Sequence, residues 1–502
     1  MNFPARLQRA LAGQGGPDEI AELACDALAQ GEEEATAPIV LDAAAKYRSA
    51  RLWQWAGLLH RALDEHATAI DCLASAARLA PGDAKIAHAQ AHVALEAGID
   101  AEAPFDRARR LAPDNGAILI GLTAARMAAG HGPQAISELE AILDAAPLWI
   151  DGHMQYAQLS ALLGRPSTAS ASLDRATARL PGEPSLWLAR CDLILRREAY
   201  PELLEVVARA EAAGVPDTDL TYYRAVAAGE ISDPDADRLL SPAAATADPA
   251  LAVWRTRHLL RHGRIAESID LIDRELRSDR RQIMWPYAAI AWRLAGDPRS
   301  AWLEDRPGLV SVIDIADDLA PIVPLAARLT ALHERSGQFL DQSVRGGSQT
   351  DGPLLSRIEP EIRALRAVVA GAVARHVAQL PPPDPDHPLL GLRRDRRVRF
   401  SGSWSVRLRG RGCHANHVHP MGWISSALYI SVPQRRPDDA PDSASLILGE
   451  PDARLGLDMA ARAKIAPRQG QLVLFPSWMW HGTRPFAEGL RLSVAFDVAP
   501  PR

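Results

Sequence analysis

Hydrophobic and polar residues follow two different patterns along this chain of 502 residues. Over the first 300 residues or so, apolar positions, many of them alanine or leucine, recur with the spacing of amphipathic helices. From residue 396 onward, short runs rich in β-branched residues alternate with clusters of glycine, proline and aspartate, which is typical of strands and turns. The pattern therefore predicts a helical N-terminal region followed by a C-terminal region of short strands.

The helical region repeats itself with a nearly constant period. Pro81, Pro113, Pro147 and Pro181 each follow one helical run and precede another, at spacings of 32, 34 and 34 residues. An alanine lies twelve residues before each proline, and a large apolar residue lies eight before it. Proline ends the second helix of each unit, because it lacks an N–H and disfavours a helical residue before it.

These units resemble the tetratricopeptide repeat, a helix–turn–helix of about 34 residues. Trp53, Gly57 and His60 occupy its aromatic, small and bulky positions in the first clear unit. We expect roughly six to eight units over residues 18–300. Such an array is a superhelix whose concave groove often binds a peptide or protein, and the alternative is that it only supports the C-terminal region.

Between the two regions the repeat rhythm is lost. A strand is predicted over residues 309–315, and helices over 325–334 and 359–380. The polar, glycine-rich segment 342–350 is expected to be a mobile loop, and it lacks the lysine pattern of a phosphate-binding loop. We place the boundary near residue 300, giving a helical repeat domain over 1–300 and a β domain over 301–502.

The β domain carries a group of histidines. Strands are predicted over residues 398–408, 424–432, 444–448, 470–475 and 490–498. On a strand, His417 and His419 share one face because side chains alternate, and His414 lies on the other face. His481 follows the fourth predicted strand. Imidazoles held together in this way suit a first-row divalent metal, whereas the nearby thiol of Cys413 is expected to have no role.

Arg491 and Ser493 share a face of the last predicted strand. An arginine can hold a carboxylate through two parallel hydrogen bonds, and a serine hydroxyl can add a third. The pair therefore favours a small dicarboxylate near the metal.

As a set, these motifs resemble the non-haem Fe(II), 2-oxoglutarate-dependent oxygenases, in particular a group fused behind tetratricopeptide repeats. The resemblance covers roughly residues 300–502 and rests on segments 342–350, 403–406, 416–420, 423–429 and 474–478, together with His481 and 491–493. It implies a double-stranded β-helix, that is, a jelly-roll or cupin-like domain, with flanking helices. It also implies Fe(II), 2-oxoglutarate and O2 as the reacting set, with ascorbate as an optional reductant.

Transferred to this sequence, the resemblance makes His417 and His481 iron ligands. Arg491 and Ser493 match the pair that holds the far carboxylate of 2-oxoglutarate, and Arg491 counts among the catalytic residues for that reason. Tyr429 and Asn416 are further candidates for contacts to the co-substrate.

The middle ligand departs from the family pattern, which has an aspartate or glutamate where this chain has His419. His419 is our candidate for the third metal ligand. The alternatives are a site completed by water, or one completed by a remote carboxylate from Asp442, Glu450 or Asp458.

The predicted function is that of a 2-oxoglutarate- and Fe(II)-dependent dioxygenase that hydroxylates a protein or peptide brought by the repeat groove. One alternative is a non-catalytic repeat scaffold, or a binding protein that senses metal or 2-oxoglutarate. Another is a cupin-type metalloenzyme that uses no 2-oxoglutarate, against which the arginine and serine pair argues.

Composition narrows the partners further. A net charge of −6 predicts no nucleic-acid surface, and no segment approaches the roughly 20 apolar residues of a membrane span. Four cysteines, far apart and without a CxxC pair, predict free thiols in a reducing cytoplasm. Nothing in the sequence predicts the substrate or the oligomeric state.

Overall fold

A computed structural model describes residues 2–241, 250–278, 281–319, 321–334 and 343–502. Helices occupy the chain as far as Glu304, and the first strand begins at Ser311. The architecture is a tetratricopeptide-like superhelix followed by a double-stranded β-helix domain with flanking helices, which confirms the predicted fold class. The proposed boundary at residue 300 falls inside a short helix, and it stays a prediction.

The helical region is a succession of antiparallel pairs, in which α2 packs on α3, α4 on α5, and so on to α16 on α17. The helices are α1 (Phe3–Leu11), α2 (Pro17–Gln30), α3 (Glu33–Tyr47), α4 (Ala50–Ala62), α5 (His66–Leu79), α6 (Ala84–Glu96), α7 (Glu102–Leu111), α8 (Gly116–Ala129), α9 (Gly132–Ala145), α10 (Ile150–Leu162), α11 (Ala171–Arg179), α12 (Pro184–Arg196), α13 (Tyr200–Ala212), α14 (Asp217–Ile231), α15 (Ala236–Leu239), α16 (Ala250–Arg261), α17 (Ile265–Glu275), α18 (Trp285–Ala295) and α19 (Arg299–Glu304).

The periodic residues of the sequence hold these pairs together. Each of the four spaced prolines comes one or two residues after a second helix ends, for example Pro81 after α5 and Pro147 after α9. Phe105 of α7 is fully buried against Gly121 of α8. A Cβ atom at Gly121 would lie 2.2 Å from the Phe105 ring, so only glycine lets the two helices approach this closely.

The β domain is one curled antiparallel sheet with two helices on its outer side. Its strands are β1 (Ser311–Asp314), β2 (Val344–Gln349), β3 (Phe400–His417), β4 (Ile424–Ser431), β5 (Leu446–Leu448), β6 (Ala463–Ile465), β7 (Gln471–Pro476), β8 (His481–Thr483) and β9 (Leu490–Val498), and its helices are α20 (Ile322–His333) and α21 (Pro360–Gln379). The order is β1-β7-β4-β9-β3-β8-β5-β6, with β2 also paired to β3.

The long strand β3 belongs to both halves of the curled sheet. Its first part pairs with β9, from Phe400 to Arg409, and its last part pairs with β8 at His414 and His417. The predicted strand at 398–408 is therefore real but too short, since it continues as far as His417. This continuation extends from the part of the sheet that pairs with β9 to the part that pairs with β8. The histidines lie there, at the open end of the curled sheet, which we call the mouth of the barrel.

The glycine-rich segment was predicted wrongly. Residues 344–349 are not a loop but strand β2, which pairs with β3 and has a bulge between Arg345 and Gly347. The predicted Gln342 lies outside the described residues. Glycine serves here because Gly346, at φ +69°, adopts a left-handed conformation, and a Cβ at Gly347 would meet the Arg407 carbonyl at 2.5 Å.

The N-terminal repeats turn back onto the β domain through an arginine clasp, which we define as residues 396–399. Arg396 pairs with Glu32, Arg397 with Glu65 at 2.6 Å, and Arg399 with the buried Glu33 at 2.9 Å. Because these carboxylates lie at the ends of α2 to α5, the clasp joins the start of the repeat array to the domain that follows its end.

Three histidines of the β domain are structural. His333, His376 and His387 are each no more than 2% exposed, and burial lowers the pKa of each to about 4. They bond to neighbouring groups such as the Ser348 and Ser311 hydroxyls. These side chains are therefore neutral packing elements rather than ligands.

We expect stability to fall as the pH drops from about 6.5 to about 4. Unfolding returns these imidazoles to the usual pKa near 6.5, so in this window the unfolded chain binds more protons than the folded chain, and acid favours unfolding. Thermal unfolding followed across this range by circular dichroism checks the slope. His376→Gln should flatten it, while a pH-independent midpoint would contradict the expectation.

Among the described residues, no helix has both the length and the apolar surface that a bilayer crossing requires. Cys25, Cys72, Cys191 and Cys413 are free thiols, as predicted.

Candidate metal centre and co-substrate pocket

Three histidines converge at the mouth of the barrel. His417 ends β3 and lies directly opposite His481, the first residue of β8, in the antiparallel register. His419 comes two residues after β3 ends. Their ring centroids are 4.3 to 5.2 Å apart, and one nitrogen from each ring lies within 4.8 Å of the others. In the described part of the chain, this is the one group of histidine, cysteine or acidic side chains so arranged.

The hydrogen bonds of the three rings fix which nitrogen is free. The Nδ1 atom of His417 donates to the Ala415 carbonyl at 2.8 Å, and that of His481 to the Met479 carbonyl at 3.0 Å. The Nδ1 atom of His419 donates to the Asp497 carboxylate at 2.5 Å. With the proton held on Nδ1, each Nε2 keeps its lone pair, which is the form of imidazole that binds a metal, although the Nε2 of His417 also accepts a long hydrogen bond of 3.4 Å from the Ser343 hydroxyl.

Burial keeps the rings of His417 and His481 neutral. It lowers the pKa of His417 to about 4, with the neighbouring His419 as a further cause, and it lowers the pKa of His481 well below the usual value. A metal ion therefore does not have to displace protons from these two ligands near neutral pH.

His419 reaches this cluster in a way that strand alternation does not predict. On a regular strand His417 and His419 would share one face, but His419 lies beyond the strand, and its backbone N–H donates to the Ser477 carbonyl at 2.9 Å. The remote carboxylates named as alternatives lie elsewhere. Asp442 pairs with Lys464, Glu450 pairs with Arg484, and Asp458 is exposed.

The nearest carboxylate acts through His419 instead. Asp497 of β9 accepts hydrogen bonds from His419 and, at 2.6 Å, from the Ser425 hydroxyl. A carboxylate behind a ligating imidazole orients the ring and raises its basicity. In the family pattern a carboxylate is a metal ligand. Here the carboxylate of Asp497 lies behind the His419 ring instead of at the metal position.

We expect Asp497→Asn to weaken metal binding by roughly 10- to 100-fold, the usual effect of losing such an outer contact. The change keeps the side-chain volume but removes the charge that supports His419. Competition titration of Fe(II) or Co(II) against a chromophoric chelator measures the affinity. Asp458→Asn is the matched control, because this exposed carboxylate should leave the affinity unchanged, and equal losses in both variants would contradict the assignment.

Arg491 lies in the same cavity as the histidines. It is 2% exposed and donates to the Ala444 carbonyl at 3.1 Å, but no carboxylate among the described residues pairs with it, and its Nε has no hydrogen-bond partner among them. Burial lowers the pKa of Arg491, yet a guanidinium stays charged. A buried cation without a counter-ion is costly unless an anion binds beside it.

Two further polar groups surround Arg491. The ring centroid of Tyr429 lies 5.1 Å from its guanidinium carbon, and the Tyr429 hydroxyl has no partner among the described residues. Ser493, two residues along β9, is 5% exposed and lines the cavity, as predicted from its position on the strand. These groups leave hydrogen-bonding capacity beside the buried cation.

His414 also lines this cavity, contrary to its predicted orientation. It was expected on the opposite face, but β3 is irregular between His414 and His417, which changes the alternation. Its Nε2 is buried without a partner among the described residues, and its ring centroid is 6.2 Å from that of His417. Asn416 lines the cavity too, although its amide donates to Glu450 and to the Pro451 carbonyl.

The cavity has a volume of about 730 Å³ and is shared between the two domains. Most of its wall comes from the β domain, but Pro166, Arg196, Arg197 and Glu198 of the repeat array close one side. The sequence alone could not show this wall, because the contact joins residues far apart in the chain, such as Glu198 and Arg454.

The residues present fit the cofactors that the oxygenase resemblance implies. Three imidazoles whose Nδ1 atoms are already hydrogen-bonded can offer Nε2 to a first-row divalent ion. A buried arginine without an anion, beside an unpartnered tyrosine hydroxyl, is suitable for a carboxylate. The cavity is large enough for a small dicarboxylate and part of a second molecule.

Residues 402–497 match the model of the protein family described as "Putative 2OG-Fe(II) oxygenase". The matched range includes the three histidines of the cluster and Arg491. The match confirms the oxygenase resemblance for this segment, together with Fe(II) and 2-oxoglutarate as its cofactors. No curated protein matches the chain.

Several solved structures are similar to parts of the chain. A prolyl-4-hydroxylase from Pseudomonas putida is 16% identical over 38% of this chain and 92% of that chain, with a TM-score of 0.26. HygX from Streptomyces hygroscopicus, solved with nickel and 2-oxoglutarate, is 15% identical over 38% of this chain and 83% of that chain, with a TM-score of 0.27. A tetratricopeptide repeat protein from Parabacteroides merdae is 14% identical over 41% of this chain and 82% of that chain, with a TM-score of 0.31.

Proposed function

We propose that this protein is a 2-oxoglutarate- and Fe(II)-dependent dioxygenase that hydroxylates a protein or peptide substrate. The observation that carries the proposal is the buried Arg491, without an anionic partner among the described residues, in one cavity with three metal-competent histidines. A structural histidine cluster would not explain the unpaired cation.

In this proposal His417, His419 and His481 hold the metal through Nε2, with Asp497 keeping the His419 ring in place. When bound, Fe(II) with 2-oxoglutarate and O2 supplies oxidative decarboxylation to succinate, coupled to hydroxylation of a C–H bond. Arg491 binds the far carboxylate of 2-oxoglutarate through its free guanidinium edge.

The neighbouring residues orient the co-substrate. Tyr429 and Ser493 are proposed to donate hydroxyl hydrogen bonds to the carboxylate held by Arg491. Phe475 packs against His481, with ring centroids 4.8 Å apart, and limits water on that side of the metal. Asn416 is proposed to act mainly by fixing the strand end that carries His417, since its amide is bonded to Glu450 and Pro451.

A polypeptide substrate is supported by the repeat residues in the cavity wall. Because these repeat residues line the same cavity as the histidines, a molecule bound there can contact the repeat array, so the array contributes to selecting it. The cytoplasmic location predicted from the unpaired cysteines is part of the proposal as well.

The test is succinate release by purified protein supplied with Fe(II), 2-oxoglutarate, ascorbate and air, with and without candidate peptides. Turnover that requires both Fe(II) and 2-oxoglutarate is expected. Absence of turnover, in protein that binds neither metal nor 2-oxoglutarate, would overturn the proposal.

A second candidate is a non-catalytic sensor of metal or 2-oxoglutarate, and it is favoured by one observation. The third ligand position holds an imidazole, His419, where an oxygenase usually has a carboxylate. Anaerobic titration separates the two. A visible charge-transfer band with Fe(II) and 2-oxoglutarate, followed by decay in air with succinate formation, favours the enzyme, whereas a stable complex favours the sensor.

A further inference from the structure

The metal cavity continues into two neighbouring cavities. Arg196 lines it and also a cavity of about 380 Å³, whose remaining walls come from α8, α10 and α12. Gln349 and Trp404 line the metal cavity and also a cavity of about 630 Å³ that reaches α4 and α6. Through these shared residues the three cavities form a row, in which the cavity with the histidine cluster adjoins each of the other two.

Trp404 places the metal cluster close to one of these connections. Its ring centroid is 5.6 Å from that of His419, and the residue is only half-buried. A chain that passes from the cavity at α4 and α6 over Trp404 therefore comes directly to the metal ligands.

The two ends of the row differ in charge. Between the metal and α12, arginines predominate, whereas acidic residues predominate in the cavity that reaches α4. The first group is Arg196, Arg197, Arg345 and Arg454 with Glu198 and Asp151, and the second is Asp64, Glu96 and Asp351 with Arg61.

One charge at each end is available to a ligand. Arg196 is exposed and makes no ion pair among the described residues, and the Asp351 carboxylate bonds only to the backbone N–H of Gly352. Other members of the two groups are already paired, for example Arg454 with Glu198 at 2.6 Å. Arg196 thus lines the metal cavity where it adjoins the cavity at α12, and Asp351 lines the cavity at α4 and α6, so the two ends of the row carry opposite charges.

We infer that an extended polypeptide segment crosses this row in one direction, with an acidic residue against Arg196, a basic residue against Asp351 and the target residue between them at the histidines. The inference rests on the proposed oxygenase function and names its substrate. A single cavity of roughly 300–1,000 Å³ is enough for a small ligand, so a row of three connected cavities favours a chain. Opposite charges at the two ends attract the matching order of residues and repel the reverse order.

Two libraries of short peptides test the direction. Both have a randomised centre. One has a glutamate-rich N-terminal flank and a lysine-rich C-terminal flank, and the other has these flanks exchanged. Binding to Fe(II)-loaded, anaerobic protein with 2-oxoglutarate is measured by fluorescence anisotropy, and hydroxylation is measured by mass spectrometry as the gain of one oxygen atom.

Wild-type protein should prefer one library by roughly tenfold. Arg196→Glu combined with Asp351→Lys should exchange the preference. The preference is the ratio of the affinities of one protein for the two libraries, so it does not depend on the total activity of that protein. Arg110→Glu with Asp114→Lys is the matched control, since both residues are exposed and line none of the three cavities.

Equal use of both libraries by the wild type, or an unchanged preference in the double variant, would overturn the inference. Failure of every peptide in both libraries to bind, in protein that still releases succinate, would also overturn it while leaving the oxygenase assignment intact. Preferential binding of one library without succinate release supports the inference and contradicts the proposed oxygenase chemistry instead.

Discussion

His481→Ala should abolish Fe(II)-dependent succinate release. His481 supplies one of three Nε2 atoms, it faces His417 across the β3–β8 pair, and it is 8% exposed, so water does not easily replace it with the same geometry. Metal affinity should fall by more than the roughly 10- to 100-fold that loss of an outer-shell partner typically costs. Chelator competition measures the affinity, and mass spectrometry of succinate measures the turnover.

The control must separate loss of the ligand from loss of the fold. His131→Ala removes an exposed imidazole in the repeat array and should leave metal binding and turnover unchanged. Without metal, His481→Ala and the wild type should unfold at similar temperatures. The ring that the variant removes carries no charge in the folded state, so no ion pair is lost with it. Full turnover in His481→Ala would contradict the metal assignment.

The repeat array and the last strand were predictable because their signals are local. Proline at a period near 34 residues marks the end of each second helix, and β-branched alternation marks β9, which begins and ends at the predicted Leu490 and Val498. The helix predicted over 359–380 is likewise observed as α21, over Pro360–Gln379. In each case the residues that define the element are neighbours in the chain.

The metal cluster was predictable in its members but not in its construction. His417, His419 and His481 do lie together. The predicted reason, a shared face of a regular strand, is wrong, because His419 lies beyond the strand end and its backbone N–H donates to the Ser477 carbonyl. His414 was missed because an irregularity in β3 turns its side chain into the cavity. Such a bulge depends on the partner strand and leaves no mark in the local pattern.

Asp497, in contrast, had a signal in the sequence. Counting by two from Arg491 along β9 leads through Ser493 to Asp497, so all three belong to the face that lines the cavity. Asp442, Glu450 and Asp458 were the predicted alternatives, because a carboxylate was expected to bind the metal directly. In the structure it instead supports the imidazole that took the ligand position.

The charge balance of the site follows from this arrangement. Imidazole ligands carry no negative charge to offset that of a divalent ion, and Arg491 adds a further buried positive charge. Among the described residues, the cavity wall contains two carboxylates, those of Glu198 and Asp497. Asp497 acts through His419. A dianionic co-substrate therefore supplies most of the missing negative charge, which links metal binding to 2-oxoglutarate binding.

Arg491→Met should raise the dissociation constant of 2-oxoglutarate by roughly 100-fold or more. Loss of one partner from a buried charge pair costs about 3 kcal/mol or more, and each 1.4 kcal/mol or so is a factor of ten in affinity. Methionine preserves much of the packing against Tyr429. Anaerobic titration of the Fe(II) protein, followed through the charge-transfer band, measures the constant, while Fe(II) binding without co-substrate should not weaken.

Arg491→Met should also change the stability of the protein in a direction that shows whether Arg491 binds the co-substrate or is structural. In the absence of 2-oxoglutarate, Arg491 is a buried cation without an anionic partner among the described residues, so replacing it with an apolar side chain should leave the unfolding temperature unchanged or raise it. Added 2-oxoglutarate should then stabilise the wild type but not the variant. Arg409→Met, an exposed change on the neighbouring strand β3, should keep the full 2-oxoglutarate response. If Arg491→Met instead lowers the unfolding temperature and still responds to 2-oxoglutarate, Arg491 is a structural residue and the carboxylate binds elsewhere in the cavity.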